Sequence, residues 1–234
     1  SLKTAFGSDY VVISSSFKAP MSCNRLQSAA SKRHRRGRHP MTVDHWVRHV
    51  MNERTAEIVR AEHPERLDVL EIGGHEWADF GFKSYRTVDW PEFDICKERL
   101  RQRYDLIIAE QVFEHLPSPG RAARNVRRML RPGGMFLITT PFLIKYHPCP
   151  GDYSRWTQHG MVRFLWENGF VDPQADSWGN RECLVANLGP WVEFDPAIHS
   201  VENEREFPVS VWATARRPRL PADARLMVAQ RLGR

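Results

Sequence analysis

Residues 104–142 read YDLIIAEQVFEHLPSPGRAARNVRRMLRPGGMFLITTPF and carry the pattern of a strand, a helix and a second strand. The first strand is the apolar run Tyr104–Ala109. Ser118-Pro119 predicts the helix start, with serine as the cap and proline in the first helical position. The helix is predicted to stop at Pro132-Gly133-Gly134, and Met135–Thr140 follows as the second strand. Two strands joined by a helix predict parallel neighbours in an α/β sheet.

The flanking segments continue this alternation of strands and helices. One helix is predicted from a cap at Thr42 to His63-Pro64, because its apolar residues recur at helical spacing. Another is capped by Thr157 and closes at Asn168-Gly169. The further candidate strands are Leu67–Ile72, Tyr85–Val88, Phe93–Cys96, Cys183–Ala186 and Val209–Ala213. The whole pattern predicts an α/β, doubly wound, mainly parallel sheet.

The chain has 234 residues, which suits one domain with appended arms. We expect a basic N-terminal arm over residues 1–41, acting as a lid or disordered, a domain over 42–217, and a polar tail over 218–234. The net charge of +6 comes from the two ends, since residues 41–215 taken alone are net acidic. The basic composition is therefore weak support for nucleic-acid binding by the fold itself.

Composition also bears on the compartment. No stretch approaches the roughly 20 apolar residues of a transmembrane helix, and the start SLKTAFGSDY lacks the pattern of a signal peptide. The four cysteines are widely spaced without a CxxC pair, as expected of reduced thiols. They are Cys23, Cys96, Cys149 and Cys183. We therefore expect a cytoplasmic protein that does not attach to a membrane.

Acidic residues and glycines gather where the predicted strands end. Glu71 lies near the end of the predicted strand Leu67–Ile72, and Gly73-Gly74 follow that strand. Asp89 follows Tyr85–Val88, and Glu110 follows Tyr104–Ala109. Glycine lets the backbone approach a ligand closely, and a carboxylate can accept hydrogen bonds from both hydroxyls of a ribose. Sheets of this class bind ligands at the carboxyl ends of their strands. The pattern therefore indicates a ligand that contains a nucleoside.

The turn after the predicted strand Leu67–Ile72 argues against a dinucleotide as the ligand. Counted from Gly73, the second glycine position of a GxGxxG turn holds His75, and the chain has no GxxxxGK[ST] segment. The bulky run His75-Glu76-Trp77 would obstruct a pyrophosphate at a helix start, and the carboxylate of Glu76 would repel it. A cofactor that carries a sulfonium and no phosphate fits better, which disfavours a nicotinamide oxidoreductase.

Together these segments resemble the class I S-adenosylmethionine-dependent methyltransferases. The resemblance is carried by VLEIGG (69–74), VDW (88–90), DLIIAEQVFEHL (105–116) and LRPGG (130–134). It continues into HPCPGDYSRWTQHGMVRFLWENGF (147–170) and FPVSVWATARRP (207–218), which resemble a bacterial subgroup associated with biosynthesis of small molecules and surface glycans. It covers about residues 65–217 and implies a Rossmann-like fold with a seven-stranded sheet and an antiparallel edge strand.

The resemblance also implies a cofactor, S-adenosylmethionine, and roles for individual residues. Asp89 would bind the ribose hydroxyls. Glu98, the acidic position after the predicted strand Phe93–Cys96, would lie near the adenine. Glu114-His115 matches the family's EH pair at the boundary between cofactor and substrate. The implied cofactor-binding residues are Glu71, Gly73, Gly74, Asp89, Glu98, Glu110 and Gln111.

The acceptor site is predicted in the loop His147–Trp156, which follows Met135–Thr140. Neighbouring parallel strands end at one edge of the sheet, so this loop is expected to face Glu114-His115. The candidate catalytic residues are His115, His147 and Tyr153, and the candidate substrate-binding residues are Glu114, Asp152, Arg155 and Trp156. Each has a structural alternative: His115 could cap its turn, Tyr153 and Arg155 could brace the loop, and Trp156 could belong to the core.

Two further groups are assigned no role. His147, Cys149, Asp152 and His159 match no standard zinc spacing, so no metal is predicted. Trp191 is expected to be partly buried, which is the common state of tryptophan.

The favoured function is methyl transfer to oxygen or nitrogen of a small-molecule acceptor, a sugar or a natural-product intermediate. One alternative is a nucleic-acid or nucleotide methyltransferase that uses the basic arm, and another is a non-catalytic cofactor-binding protein. The chain lacks the Asn/Asp-Pro-Pro-aromatic motif of base-modifying enzymes, and acidic residues at three strand ends argue against loss of cofactor binding. The expected partner is thus a small molecule rather than nucleic acid or a membrane, and a homodimer is left open.

Overall fold

The computed structural model describes residues 44–148 and 151–219. Within these ranges four α-helices are α1 (Trp46–Ala61), α2 (Pro119–Met129), α3 (Gln158–Glu167) and α4 (Arg181–Ala186). The six strands are β1 (Asp68–Ile72), β2 (Ser84–Val88), β3 (Tyr104–Glu110), β4 (Leu130–Pro141), β5 (Val171–Trp178) and β6 (Ser210–Arg216). The predicted arm, Thr42, Cys149 and the tail from residue 220 onward lie outside the described residues. No helix in these ranges has the length and apolar character needed to cross a bilayer.

The strands form one sheet in the order β2-β1-β3-β4-β6-β5. The pairs β1–β2, β1–β3 and β3–β4 are parallel, whereas β6 runs antiparallel to both β4 and β5. The predicted Rossmann-like, mainly parallel α/β sheet is thus confirmed. Two details differ from the expectation: the described residues form six strands instead of seven, and the antiparallel strand β6 lies next to the edge strand β5.

Helices cover both faces of the sheet, and this explains the uninterrupted apolar run of β3. Leu106 and Ile108 pack on the face covered by α1, together with Val59. Ile107 and Ala109 point to the opposite face and pack against α2 and α3. A strand buried on both faces shows no alternation of polar and apolar residues, which is why β3 was recognisable from sequence.

The helix between β3 and β4 forms as predicted. Pro119 occupies its first turn, where a missing backbone N–H costs nothing. Its buried residues Ala122, Ala123, Val126 and Met129 form one stripe against the sheet. The following strand already begins at Leu130, so β4 includes the Pro132-Gly133-Gly134 segment that was expected to precede it.

Two of the predicted strands are wrong. Residues 93–96 form a turn, because Ile95 and Cys96 are buried in the core that includes α2 and Asn125 of that helix donates a hydrogen bond to the Ile95 carbonyl at 2.8 Å. Residues 183–186 belong to α4, whose start is capped by the side chain of Asn180. The unpredicted edge strand β5 has the sequence VDPQADSW, whose proline and acidic residues mask a strand pattern.

The sheet order places the ligand crevice. β2 lies on one side of β1, whereas β3 lies on its other side, so the chain changes direction across the sheet between β1 and β3. The pairing of Ile72 with Ala109, and of Ala109 with Ile138, brings the carboxyl ends of β1, β3 and β4 level with one another. Ligands of doubly wound sheets bind at such a switch point.

Candidate active site

Gly73 begins the loop after β1 in a conformation that favours glycine. Its φ is +81°, in the left-handed region. A Cβ at this position would lie 2.5 Å from Cγ2 of Val112, which belongs to the loop after β3. The two loops therefore approach each other at Gly73 more closely than any side chain would allow.

Glu71 lies beneath this loop and organises it. Its buried carboxylate accepts hydrogen bonds from the backbone N–H groups of Glu76 and Trp77, each at 3.1 Å, and from the Tyr85 hydroxyl at 2.6 Å. Burial, followed by the nearby carboxylate of Glu76, raises the pKa of Glu71 to about 8. A Cβ at Gly74 would lie 2.8 Å from a Glu71 carboxylate oxygen. Glu71 thus points into the base of the loop, where it fixes the backbone that Gly73 and Gly74 expose.

Trp77 does not obstruct this loop, in contrast to the sequence-based interpretation. Residues 76–79 form a turn and no helix begins there, so the described residues offer no helix start to a pyrophosphate after β1. The Trp77 side chain is fully buried among residues of β1, β3 and α1. Its indole Nε1 donates a hydrogen bond to Oε2 of Glu110 at 3.1 Å.

Asp89 is exposed directly after β2. One carboxylate oxygen accepts a hydrogen bond from the backbone N–H of Trp90 at 2.7 Å. Thr87, two residues earlier, donates from its hydroxyl to the carbonyl of Gly74 and so ties the end of β2 to the glycine loop. The predicted cofactor residues of β1 and β2 therefore lie side by side.

Glu98 lies in a different setting from the one predicted. The segment before it is a turn instead of a strand, and Glu98 is exposed there. Its carboxylate accepts a long hydrogen bond of 3.5 Å from the backbone N–H of Asp94.

Glu110 and Gln111 lie at the end of β3. The Glu110 side chain is buried, and only one of its carboxylate oxygens is hydrogen-bonded, to Trp77. Burial raises the pKa of Glu110, and the charge of Arg48 on α1 opposes that shift. Gln111 has a φ of +54°, and its side chain donates to Thr139 of β4 at 3.3 Å.

Glu114 is completely buried in a short 3-10 helix, Phe113–His115. Neither of its carboxylate oxygens has a hydrogen-bond partner, and burial raises its pKa to about 8. Its backbone carbonyl accepts a hydrogen bond from the N–H of Tyr153 at 2.7 Å. The loop after β4 is thereby docked on the segment after β3, as the topology predicted.

His115 and His147 face each other across this contact. Their ring centroids are 5.0 Å apart, and the rings are nearly perpendicular. His115 donates from Nδ1 to the Gly151 carbonyl at 2.5 Å, so its Nε2 carries a lone pair, 3.5 Å from a Glu114 carboxylate oxygen. His147 Nε2 is buried and has no partner. Burial lowers the pKa of both rings, that of His147 to about 4, so both are neutral near pH 7.

Asp152 and Arg155 brace the same loop. Their side chains form a two-pronged ion pair, with one N–O distance of 2.6 Å. Asp152 also accepts a hydrogen bond from the backbone N–H of His147 at 3.0 Å. Trp156 packs against Phe164 of α3 with ring centroids 5.3 Å apart. These three predicted substrate residues therefore have clear structural contacts of their own.

Tyr153 differs, because its side chain is 61% exposed. It lines a groove of about 290 Å³ with Ile144, Tyr146, Asp152, Ser154 and Arg155. A Cβ at Gly151 would collide with the Tyr153 ring, so glycine is what allows this ring to lie over the loop.

Sequence reasoning missed three residues around this site. Trp191 is 38% exposed and packs edge-on against His147 at 6.0 Å, with the Lys145 ammonium 4.0 Å from its ring centroid. Tyr146 is 72% exposed in the groove. Arg48 of α1 influences the pKa of both Glu110 and Glu114. Of these three residues, only Trp191 follows a loop signal in the sequence, the dipeptide Gly189-Pro190.

A family model described as a methyltransferase domain matches residues 43–171, which is more than half of the chain. No curated protein matches the chain. Among solved structures, an S-adenosylmethionine-dependent methyltransferase from Mesorhizobium loti is 17% identical, with 69% of this chain and 96% of that chain covered and a TM-score of 0.46. A methyltransferase from Archaeoglobus fulgidus is 14% identical, with coverages of 70% and 93% and a TM-score of 0.46. Phosphoethanolamine N-methyltransferase 2 of Haemonchus contortus is 12% identical, with coverages of 70% and 52% and a TM-score of 0.48.

Proposed function

This chain belongs to the methyltransferase-domain family, and we propose that it methylates an oxygen or nitrogen atom of a small-molecule acceptor, a sugar or a natural-product intermediate. Its cofactor is S-adenosylmethionine. The single observation that carries the proposal is the buried, unpartnered Nε2 of His147, the residue after Tyr146 of an open groove and close to the strand ends that would bind the cofactor.

The residues at the ends of β1, β2 and β3 fit the cofactor. Gly73 and Gly74 present bare backbone at this edge, where a Cβ would collide with the side chains of Val112 and Glu76. Asp89 presents a carboxylate suited to a ribose diol, and Glu110 keeps one buried oxygen without a partner. An acidic surface of this kind, where the described residues after β1 form no helix start that would bind phosphate, suits a cationic nucleoside. When bound, S-adenosylmethionine supplies a methyl carbon that an acceptor lone pair attacks as the bond to sulfur breaks.

The loop after β4 fits the acceptor. Tyr146 and Tyr153 are exposed aromatic walls of the groove, and a sugar ring or a small apolar body packs well on such rings. The volume of about 290 Å³ is near the lower end for small-molecule sites. Arg155 is neutralised by Asp152, so the groove is not a phosphate-binding surface.

The protein contributes mainly by holding the acceptor atom in line with the bond between the methyl carbon and sulfur. Positioning of this kind is worth about 7–11 kcal/mol of a barrier. His147 Nε2 can accept a hydrogen bond from the acceptor's hydroxyl or amine, and the proton released passes to a neutral imidazole or to water. The Asp152–Arg155 pair fixes the backbone of His147, so it acts on the reaction by positioning.

The test is transfer of a labelled methyl group from S-adenosylmethionine to panels of free sugars, nucleotide-linked sugars, hydroxylated aromatics and amines. Transfer to RNA and DNA is measured in parallel. The proposal expects a product of one added methyl group in a small-molecule panel, with no product from Asp89→Ala. Label found only in nucleic acid would instead support the use of the basic arm.

A further inference from the structure

We propose that Glu114, His115 and His147 bind one divalent transition-metal ion of the Zn²⁺ class. One ligand atom from each of these side chains lies within 4.8 Å of the other two. The ligands come from two loops, one after β3 and one after β4, that meet over the carboxyl end of the sheet. Neither loop holds the set alone.

The ligand atoms lack other partners. Glu114 has no exposed surface, and both its carboxylate oxygens are without hydrogen bonds. Nε2 of His147 is also buried and unpartnered. A buried polar atom without a hydrogen-bond partner destabilises the folded protein. An unpartnered buried carboxylate and an unpartnered ring nitrogen in one cluster indicate a ligand that satisfies both.

The orientation of His115 suits metal binding. Its Nδ1 donates to the Gly151 carbonyl at 2.5 Å, which leaves Nε2 with its lone pair on the side of Glu114. Metal-binding histidines almost always donate their other ring nitrogen to a carbonyl or carboxylate in this way. The backbone of His147 is fixed in turn by Asp152. The ring of His115 and the backbone of His147 are therefore held by contacts outside the cluster.

The ligand chemistry favours one class of ion. Two imidazoles and one carboxylate form the ligand set of many catalytic zinc sites, which keep a further position open. Ligands about 2.1 Å from a tetrahedral ion lie roughly 3.4 Å apart, close to the 3.5 Å between Glu114 and His115. Mg²⁺ and Ca²⁺ prefer oxygen ligands and fit this set less well.

The sequence did not predict this site, because its ligands belong to two loops that are separate in the chain. Of His147, Asp152 and His159, only His147 belongs to the cluster, and Cys149 lies outside the described residues. Its two companions come from the EH pair, 32 residues earlier in the chain. When the ion is bound it takes up the lone pair of His147 Nε2, so the acceptor oxygen would occupy an open coordination position instead of donating a hydrogen bond to that nitrogen. That last role rests on the proposed function, whereas binding of the ion does not.

The test uses the untagged full chain, stripped of metal with a chelator and supplied with neither cofactor nor acceptor. Co²⁺ is titrated with visible absorption as the readout, and Zn²⁺ with calorimetry. We expect one Co²⁺ per chain in a site whose affinity falls at least tenfold in His147→Ala and in Glu114→Gln. His159→Ala is the matched control and should bind as the wild type does, because His159 is exposed on α3 and outside the cluster.

The double variant His34→Ala/His39→Ala separates this site from binding by the arm. Equal affinities of the wild type and His147→Ala, or loss of the signal only in the arm variant, would overturn the proposal, as would no binding at all. Glu114→Gln places an amide in a fully buried position, so the fold of this variant is checked by circular dichroism. His147 is only partly buried, and its variant carries the test alone if Glu114→Gln misfolds. Because no acceptor is present, the result is independent of whether methyl transfer is found.

Discussion

The indole Nε1 of Trp77 donates a hydrogen bond to Oε2 of Glu110 at 3.1 Å, inside the core. This bond joins the loop after β1 to the end of β3, the two strand ends between which the ligand crevice lies. It also takes up one oxygen of the Glu110 carboxylate and leaves the other without a partner. Trp77, which the sequence suggested would obstruct the turn, thus contributes to the base of the site.

The substitution Glu110→Gln should make the free energy of unfolding less sensitive to pH. Burial raises the Glu110 pKa above its ordinary value of 4.5, so above pH 4.5 the unfolded chain releases this proton before the folded chain does. The wild type therefore loses stability as pH rises, by about 1.4 kcal/mol for each pH unit in which only the unfolded state is ionised. Glutamine keeps an acceptor for Trp77 and does not titrate.

The measurement is urea denaturation of both proteins at pH 5 and pH 8. The stability of Glu110→Gln relative to the wild type should increase from pH 5 to pH 8. Glu71 and Glu114 titrate in both proteins and cancel in this comparison. A difference that is the same at both pH values would mean that Glu110 ionises alike in the folded and unfolded chains.

Gly73→Ala should destabilise the protein and weaken cofactor binding. A left-handed conformation costs an alanine about 1–2 kcal/mol, and its Cβ would lie 2.5 Å from Val112. Gly81→Ala is the matched control, because Gly81 has a φ of +87° with open space around it and carries only the conformational cost. Chemical denaturation and cofactor calorimetry should show the larger loss at Gly73, and partial rescue by Val112→Ala. Equal losses at the two glycines would refute the close approach of the loops.

Asp89→Ala should lower the affinity for S-adenosylmethionine at least tenfold. Hydrogen bonds to a charged group contribute about 1.5–3 kcal/mol each, and Asp89 can make two to a ribose. Asp79→Ala removes another exposed carboxylate, from the turn after β1, and should bind the cofactor normally. If calorimetry gives the same dissociation constant for Asp89→Ala and the wild type, the ribose is bound elsewhere.

Arg155→Ala should destabilise the loop after β4 by about 1.5–3 kcal/mol, because Asp152 then remains as a mostly buried carboxylate without its charged partner. Arg163→Ala is the control: its partner Glu167 is exposed, and surface pairs are worth at most about 1 kcal/mol. Thermal unfolding and limited proteolysis compare the two. Similar shifts for both variants would mean that the Asp152 pair is only a surface contact.

His147→Ala and Tyr153→Phe should each reduce turnover of an identified acceptor substantially while the cofactor affinity changes by no more than a few-fold. His147 directly follows Tyr146, which lines the groove together with Tyr153, whereas the predicted cofactor residues lie on the neighbouring loops. Steady-state kinetics with saturating cofactor make the measurement. Parental rates in both variants would place the acceptor away from the loop after β4.

The sequence by itself determined the elements that depend on local pattern. β1, β3, α2 and β4 were predicted because their apolar runs, caps and stops lie within one short segment each. The facing of Glu114-His115 and the His147 loop also followed from sequence, since parallel neighbours must end at the same edge of the sheet. The edge strand β5 was not predicted, because Pro173 and its acidic neighbours break a strand pattern that pairing with β6 sustains.

Only the tertiary structure decided the contacts between distant segments. Nothing local to Trp77 shows that its ring is buried against Glu110, 33 residues away, and nothing local to residues 93–96 shows that packing on α2 replaces pairing in the sheet. Trp191 and Arg48 likewise reach the site from separate parts of the chain. Periodicity and capping are properties of a few consecutive residues, whereas burial, hydrogen-bond satisfaction and the shared space of Glu114, His115 and His147 exist only once the strands have been assembled.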